Sequence, residues 1–206
     1  MSIPLAEGYD AAMTSNQLNT LFPIILVAAA VLLPLIWAVC TYNVLVRLRQ
    51  QCRESWSAID TELQRRYDLI PNLVETVRGY AGHEKQTLQA VVEARSRAVA
   101  SRGSPQSQAV DENQLIAALR GLFAICEGYP DLKASGNFLE LQQQLANTED
   151  RIQAARRFYN ANVRDLNTRI QVFPSNLIAG AFGFRAAEFF EIQEAGIRAA
   201  PAVKLN

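Results

Sequence analysis

The sequence contains little of the chemistry from which metal centres and disulfide frameworks are built. Its 206 residues include one histidine and three cysteines. A single histidine argues against a histidine-based metal site, and three cysteines argue against a disulfide framework. The chain also lacks a glycine-rich loop ending in Gly-Lys-Ser/Thr and a G-x-G-x-x-G segment after a strand, so nucleotide chemistry has no support. We therefore expect no metal site and no cofactor.

An excess of charge of one sign is also missing. Lys and Arg together number 20, and Asp and Glu together number 20. Residues 1–46 carry only Glu7 and Asp10, a net −2, while the remaining residues carry 20 basic against 18 acidic side chains, a net +2. A protein that binds nucleic acid usually has a strongly basic domain or stripe. We therefore expect no nucleic-acid partner.

A long stretch without charge lies near the N-terminus. Residues 11–46 contain no charged side chain, and residues 21–40 are apolar throughout except for two prolines. A helix needs about 20 such residues to cross a hydrocarbon core about 30 Å thick. A cleaved signal peptide fits less well, because no Lys or Arg precedes the run and the run is too long. The sequence predicts a transmembrane helix over residues 21–46, with the lipid bilayer as its partner.

The charges beside this span predict its orientation. No Lys or Arg precedes it, whereas Arg47, Arg49 and Arg53 follow it closely. Cytoplasmic flanks of membrane helices are enriched in Lys and Arg. We therefore expect residues 1–20 outside the cytoplasm and the C-terminal body inside it, with the three arginines marking topology. An anionic lipid or a phosphate is the alternative role for these arginines.

The body of the chain has the apolar spacing of helices. From Leu45 to Ile70, apolar residues recur at steps of three and four, which predicts that the membrane helix continues into the body. Pro71 predicts a kink or short turn before a second helix, and residues 101–110 predict a polar loop. No strand-like alternation is present. The predicted fold is all-α, with a transmembrane helix continuing into an elongated antiparallel bundle of long helices over residues 47–173.

A seven-residue repeat marks the longest helix of the bundle. The repeat comprises Phe138, Leu145, Ile152, Tyr159, Leu166 and Phe173. It predicts a helix over residues 137–173, about 55 Å long, and its mixed companion seam favours an antiparallel bundle over a two-stranded coiled coil. Pro174 ends this helix. Residues 174–206 form an apolar, glycine-containing tail, for which we predict a short last helix over residues 185–197.

Few side chains suggest catalysis. His83 lacks the second histidine four positions on that a zinc-protease motif needs, because Thr87 stands there. Cys52 and Cys126 occupy apolar helical positions and are expected to be buried thiols. The most distinctive residue is arginine, with the doublets at 65–66 and 156–157. We expect the doublets to pair with carboxylates between packed helices; the candidate partners are Asp60, Glu62, Asp68, Glu149, Asp150 and Asp165.

Nine segments resemble the LemA family of bacterial membrane proteins. They are YNVLVRLR (42–49), WSAID (56–60), RRYDLIPNLVE (65–75), GYAGHE (79–84), YPDLK (129–133), FLELQ (138–142), TEDRI (148–152), ARRFYN (155–160) and FPSNL (173–177). They occur in order and cover nearly everything from Tyr42 to Phe190. The resemblance implies a single N-terminal span in a bacterial cytoplasmic membrane and an elongated cytoplasmic helical bundle. It brings no catalytic site.

The matching positions are candidates for holding the bundle together or for contacting a partner. They are Trp56, Arg65, Arg66, Asp68, Pro71, Asn72, Arg157, Asn160, Phe184, Phe189 and Phe190.

Three functions remain open on the sequence. The first is a non-enzymatic, membrane-anchored scaffold that self-associates, in some cases into high-order oligomers, or recruits other proteins. Its contact surface would be the apolar tail at 177–190. The second is a membrane-remodelling or lipid-contacting protein that uses the same tail. The third, a membrane-tethered enzyme using His83 or the carboxylates of Glu84 and Asp68, has no supporting residue spacing.

Overall fold

Helices make up most of the chain that the structure describes. The computed structural model describes residues 6–101 and 103–192, with residues 6–20 as backbone only. Its helices are α1 (Ala6–Tyr80), α2 (Lys85–Ala100), α3 (Pro105–Cys126), α4 (Pro130–Lys133), α5 (Gly136–Gln171) and α6 (Ser175–Ala181). No strand occurs within these described ranges. The predicted all-α class, with one long apolar N-terminal helix, is confirmed.

The apolar side chains of α1 between Leu21 and Val39 are mostly exposed. Phe22 is 69% exposed, Ile25 is 64% exposed and Leu33 is 65% exposed. In water such a helix would expose apolar surface on every side. Within the described residues, α1 is the one helix long and apolar enough to cross a membrane.

The C-terminal half of α1 has an apolar stripe facing the bundle. Its buried side chains are Leu45, Cys52, Ile59, Leu63, Tyr67, Ile70, Leu73, Val74 and Val77. Their spacing of three and four residues places them on one face of the helix. The same helix therefore continues without a break from a segment that is apolar on every side to a segment that is apolar on one face.

Pro71 does not interrupt α1, so the turn predicted there is wrong. A proline inside a helix lacks the N–H that would bond to the carbonyl four residues earlier, here that of Tyr67. In this protein Arg95 of α2 donates its Nε–H to that Tyr67 carbonyl oxygen at 2.7 Å. The side chain of a neighbouring helix thus satisfies the carbonyl that Pro71 leaves free, and α1 continues to Tyr80.

Helices α2 and α3 form an antiparallel pair against α1. The connection between them covers residues 101–104, so the predicted loop over 101–110 is too long. Helix α3 begins at Pro105, and the Ser104 side chain accepts a hydrogen bond from the Ser107 N–H. Proline at the first position and serine before it are both favourable at a helix start. The polar residues after Ser104 are therefore helical.

Helix α5 runs antiparallel to α1. Asn162 donates to the Ser55 hydroxyl at 3.1 Å, and thirteen residues earlier Glu149 pairs with Arg66, eleven residues beyond Ser55. Five members of the seven-residue repeat are buried: Phe138, Leu145, Ile152, Tyr159 and Leu166. The sixth, Phe173, is 74% exposed. It falls outside the repeat because α5 ends at Gln171.

The segment after α6 is extended. Gly183 adopts φ +68, and the bonds Phe184 N–H to Ala179 O (2.9 Å) and Gly183 N–H to Gly180 O (3.3 Å) form the glycine-terminated helix end known as the Schellman motif. Residues 182–192, here named the strap, then lie along α1 and α5. The short last helix predicted over 185–197 is therefore wrong for residues 185–192, and its remainder lies outside the described residues.

Candidate functional site

A buried arginine joins three helices. The Arg66 side chain of α1 is 0% exposed. Its Nη1 donates to Glu149 Oε2 of α5 at 3.0 Å, and its Nη2 donates to Glu112 Oε2 of α3. A guanidinium group suits this position because its planar fork presents several donors in fixed directions. Arg66 therefore holds α3 and α5 to α1 by paired charges.

Two neutral side chains complete this cluster. The Tyr67 hydroxyl donates to Glu112 Oε1, and Gln153 Nε2 donates to Glu149 Oε1 at 2.6 Å. Burial and the adjacent Glu112 carboxylate raise the pKa of Tyr67 well above its usual range, so its hydroxyl remains a donor. We call Arg66, Tyr67, Glu112, Glu149 and Gln153 the buried arginine cluster. Its chemistry is that of structural pairing, since each carboxylate accepts from one charged and one neutral donor.

Two asparagines of α5 bind the backbone of the strap. Asn160 donates to the Phe190 carbonyl and accepts from the Phe190 N–H, both at 3.0 Å. Asn167 does the same with Ala187 at 2.9 and 2.8 Å. Seven helical residues rise about 10.5 Å, and three extended residues span about 10 Å. The two spacings match, so the side-chain amides pair with an antiparallel extended chain as a neighbouring strand would.

An aromatic cluster lies beneath the strap. The Trp56 ring centroid is 5.2 Å from that of Phe190 and 5.3 Å from that of Tyr159. Phe190 is fully buried, and the Tyr159 hydroxyl donates to the Glu188 carbonyl at 2.8 Å. Burial is the main cause that raises the pKa of Tyr159 to about 12. Offset and edge-to-face ring contacts of this kind stabilise a core beyond their buried area.

The beginning of the strap lies beside the end of the membrane span. The ring centroids of Phe182 and Tyr42 are 4.8 Å apart, and the Arg49 guanidinium lies 5.0 Å from the Phe184 ring centroid. Four neighbouring apolar side chains remain exposed: Val172 (50%), Phe173 (74%), Leu177 (61%) and Phe182 (62%). We call these four residues the membrane-proximal edge, because one of them, Phe182, contacts Tyr42 near the predicted end of the span.

Comparison with known proteins assigns the family. A model of the LemA family matches residues 55–205. The chain belongs to the LemA family. Protein LemA of Metamycoplasma hominis is 27% identical over 153 residues, which cover 74% of this chain and 69% of that protein. Magnetosome protein MamQ 2 of Paramagnetospirillum magneticum and magnetosome protein MamQ of Magnetospirillum gryphiswaldense are each 26% identical over 180 residues, covering 75% of this chain and 66% of their own length. The match thus spans just under two thirds of each MamQ protein.

The structure of this LemA-family chain separates the predicted site residues into two groups. Those in or beside the described contacts are Trp56, Arg66, Asn160, Phe184, Phe189 and Phe190, with Phe189 39% exposed. Those on the surface are Arg47, Arg49, Arg53, Arg65, Asp68, Pro71, Asn72 and Arg157. Asp68 accepts from Gln64 at 3.0 Å rather than from an arginine. The predicted Arg66–Glu149 pair is present, whereas Arg156 donates to the Ile192 carbonyl instead of a carboxylate.

Sequence reasoning missed Glu112, the second carboxylate of the LemA-family cluster. Glu112 is fully buried and lies 46 residues from Arg66 in the sequence. The one signal for it in the sequence is its position on the apolar face of α3, three residues before Leu115. His83 is exposed in the turn after α1. Among the described residues, no three His, Cys, Asp or Glu side chains are grouped so that they could hold a metal ion.

The two bundle cysteines are unsuited to reactive roles. Cys52 and Cys126 are buried, as expected. Burial raises the pKa of both thiols, to about 11 for Cys126, and the charge of Asp165 adds to the effect at Cys52. A thiol is nucleophilic as its thiolate, so both side chains act as small apolar groups in the LemA-family bundle.

Proposed function

We propose that this LemA-family chain is a non-enzymatic, membrane-anchored scaffold that self-associates at the cytoplasmic face of a bacterial inner membrane. The observation that carries the proposal is the continuity of α1, which joins an apolar span to a helical bundle without a turn. Such a helix makes the orientation of the bundle follow that of the span. The juxtamembrane Arg47, Arg49 and Arg53 favour a cytoplasmic bundle.

The contact surface of this scaffold differs from the one expected from the sequence. Most of the tail at 177–190 belongs to the strap, which packs on its own bundle and fully buries Phe190, whereas Leu177 and Phe182 stay exposed at the membrane-proximal edge. Phe158 of α5, by contrast, is 63% exposed, and Val92 and Val99 of α2 are 43% and 40% exposed. We place the contact between copies on the bundle surface that includes Phe158.

Mass measurement of the full chain in lipid nanodiscs tests self-association. We expect more than one copy per particle, and Phe158→Ser to lower the copy number. Arg164→Ser, at an exposed position on another face of α5, serves as the matched control and should leave the copy number unchanged. A strict monomer at every protein concentration would contradict the scaffold proposal. A defined enzymatic activity lost in His83→Ala with the fold intact would support the enzyme instead.

Lipid contact through the membrane-proximal edge is a second function that a specific observation favours. Helix α5 is aligned with α1 so that its C-terminal end reaches the level of Tyr42 and Leu45, and Phe182 touches Tyr42. Apolar side chains at this level lie at the depth of the headgroups. A photo-crosslinking phenylalanine analogue at position 173 should therefore label phospholipid, and the same analogue at position 158 should not. Equal labelling at both positions would reject lipid contact by this edge.

A further inference from the structure

A cavity of about 300 Å³ lies between α1, α5 and the strap, close to the end of the membrane span. Its lining residues are Arg49, Cys52, Arg53, Trp56, Tyr159, Leu166, Arg185 and Ala187. The residues come from three segments that are far apart in the sequence. The cavity therefore exists only when the strap is in place.

The rim of this cavity is basic. Arg49 and Arg53 lie one helical turn apart on α1, and Arg185 faces them from the strap. No Asp or Glu lines the cavity, and no salt bridge to these three guanidinium groups occurs within the described residues. Arg49 lies over the Phe184 ring, a contact that leaves its N–H donors available. The carboxylate of Asp165 is close enough to act on Cys52 but forms no ion pair with these guanidinium groups among the described residues. The three arginines therefore leave the rim with a net positive charge that suits an anion.

The floor of the cavity is apolar. Cys52 is 6% exposed, Tyr159 is 4% exposed and Leu166 is 2% exposed, and the Trp56 ring joins them. These buried side chains leave the three arginines as the groups of the cavity that can bind a ligand.

The height of the rim also matches a lipid headgroup. Arg49 lies three residues and Arg53 seven residues beyond Val46, which places their backbones about 4.5 and 10.5 Å past the predicted end of the span. The polar headgroup layer on each side of a bilayer is about 5–8 Å thick. Long arginine side chains reach back towards the interface. A headgroup phosphate thus lies within reach of the rim.

We propose that the Arg49–Arg53–Arg185 cavity binds the phosphate of an anionic phospholipid, with the polar headgroup on the Trp56 side and the acyl chains directed back towards Tyr42 and the span. The arginines donate charge-assisted hydrogen bonds to the phosphate oxygens. Because the strap contributes Arg185, binding and strap attachment support each other. The proposal does not depend on self-association, since each copy contains a complete cavity.

Native mass spectrometry of the full chain in a neutral detergent tests this proposal, with phosphatidylglycerol and phosphatidylcholine as probes. We expect retention of phosphatidylglycerol and about twenty-five-fold weaker binding by the double variant Arg53→Gln, Arg185→Gln, since each arginine near a charged headgroup strengthens binding about five-fold. The matched control is Arg65→Gln with Arg157→Gln, which removes two exposed charges outside the cavity. Circular dichroism of both variants establishes that the fold is retained.

Several outcomes would overturn the proposal. Equal retention of the two lipids, or equal weakening by the control pair, would show that the cavity does not recognise the headgroup. Displacement of phosphatidylglycerol by an equal concentration of inorganic phosphate or glycerol phosphate would reject a lipid as the ligand and assign the site to a soluble phosphate compound. A monomeric chain that still retains phosphatidylglycerol would support the site while contradicting the scaffold.

Discussion

The buried arginine cluster and the strap both hold α5 in place, but they do so with opposite chemistry. The cluster uses full charges on side chains that are almost completely buried. The strap is held by hydrogen bonds between its extended backbone and the neutral side-chain amides of half-buried Asn160 and Asn167 of α5. A buried charge is costly once its partner is lost, whereas a half-exposed amide can bond to water instead. The two regions should therefore differ sharply in their response to substitution.

The largest effect should come from removing the charge of Arg66. Arg66→Met leaves the carboxylates of Glu112 and Glu149 buried without their cation, which should lower the free energy of unfolding by about 3–5 kcal/mol. Adding Glu112→Gln and Glu149→Gln to that variant should recover part of the loss, because the uncompensated charges are then gone. Denaturation of the detergent-solubilised full chain, followed by far-ultraviolet circular dichroism, measures both changes.

The adjacent arginine of the same doublet serves as the control for this measurement. Arg65 is exposed on the same helix, so Arg65→Met should change the unfolding free energy by no more than about 0.5 kcal/mol. Equal losses for the two substitutions would mean that the cluster does not hold the bundle together.

An intermediate effect is expected at the strap. Asn160→Ala removes both hydrogen bonds to Phe190, and Asn167→Ala removes both to Ala187, each at a cost of about 1–3 kcal/mol. Hydrogen exchange should locate the loss, with faster exchange of the Phe190 amide in the first variant and of the Ala187 amide in the second. Substitution of the exposed Asn72 by Ala should alter neither amide. Exchange that accelerates evenly over the whole bundle would argue against a separately attached strap.

The smallest effect concerns the proline in α1. Arg95→Met removes the donor to the Tyr67 carbonyl and should cost about 1 kcal/mol. In a Pro71→Ala background the backbone N–H gained at position 71 can bond to that carbonyl, so the same substitution should cost clearly less. A double-mutant cycle of unfolding free energies gives the coupling. Identical costs in the two backgrounds would disprove that Arg95 compensates for Pro71.

Local periodicity was sufficient to predict the all-α class and most of the core of α1 and α5. The seven-residue repeat identified Phe138, Leu145, Ile152, Tyr159 and Leu166 as buried, because burial on a long straight helix follows from spacing alone. Long-range partners could not be predicted in this way. Glu112 and Arg95 act on α1 from 46 and 28 residues away, at distances that no local pattern encodes. The error at Pro71 has this origin.

The strap was mispredicted for a related reason. Residues 185–192 have a composition compatible with a helix, yet Asn160 and Asn167 bond the backbone N–H and C=O groups of Phe190 and Ala187 that a helix would use internally. Asn160 was identified as a candidate position through a family resemblance, but its partner was not. The cavity could not be predicted from the sequence, because the strap brings Arg185 next to Arg53 from 132 residues away.

Because α1 is unbroken, a tilt of the predicted span moves the whole bundle with it. Between Val46 and Tyr80 the helix extends about 50 Å, and its proline is compensated by Arg95 rather than serving as a hinge. Each ten degrees of tilt of the span therefore displaces the far end of the bundle by about 9 Å. Span tilt adjusts to the thickness of the hydrocarbon core. Any movement caused by a change in the tilt of the predicted span would therefore be largest at the turn that contains His83.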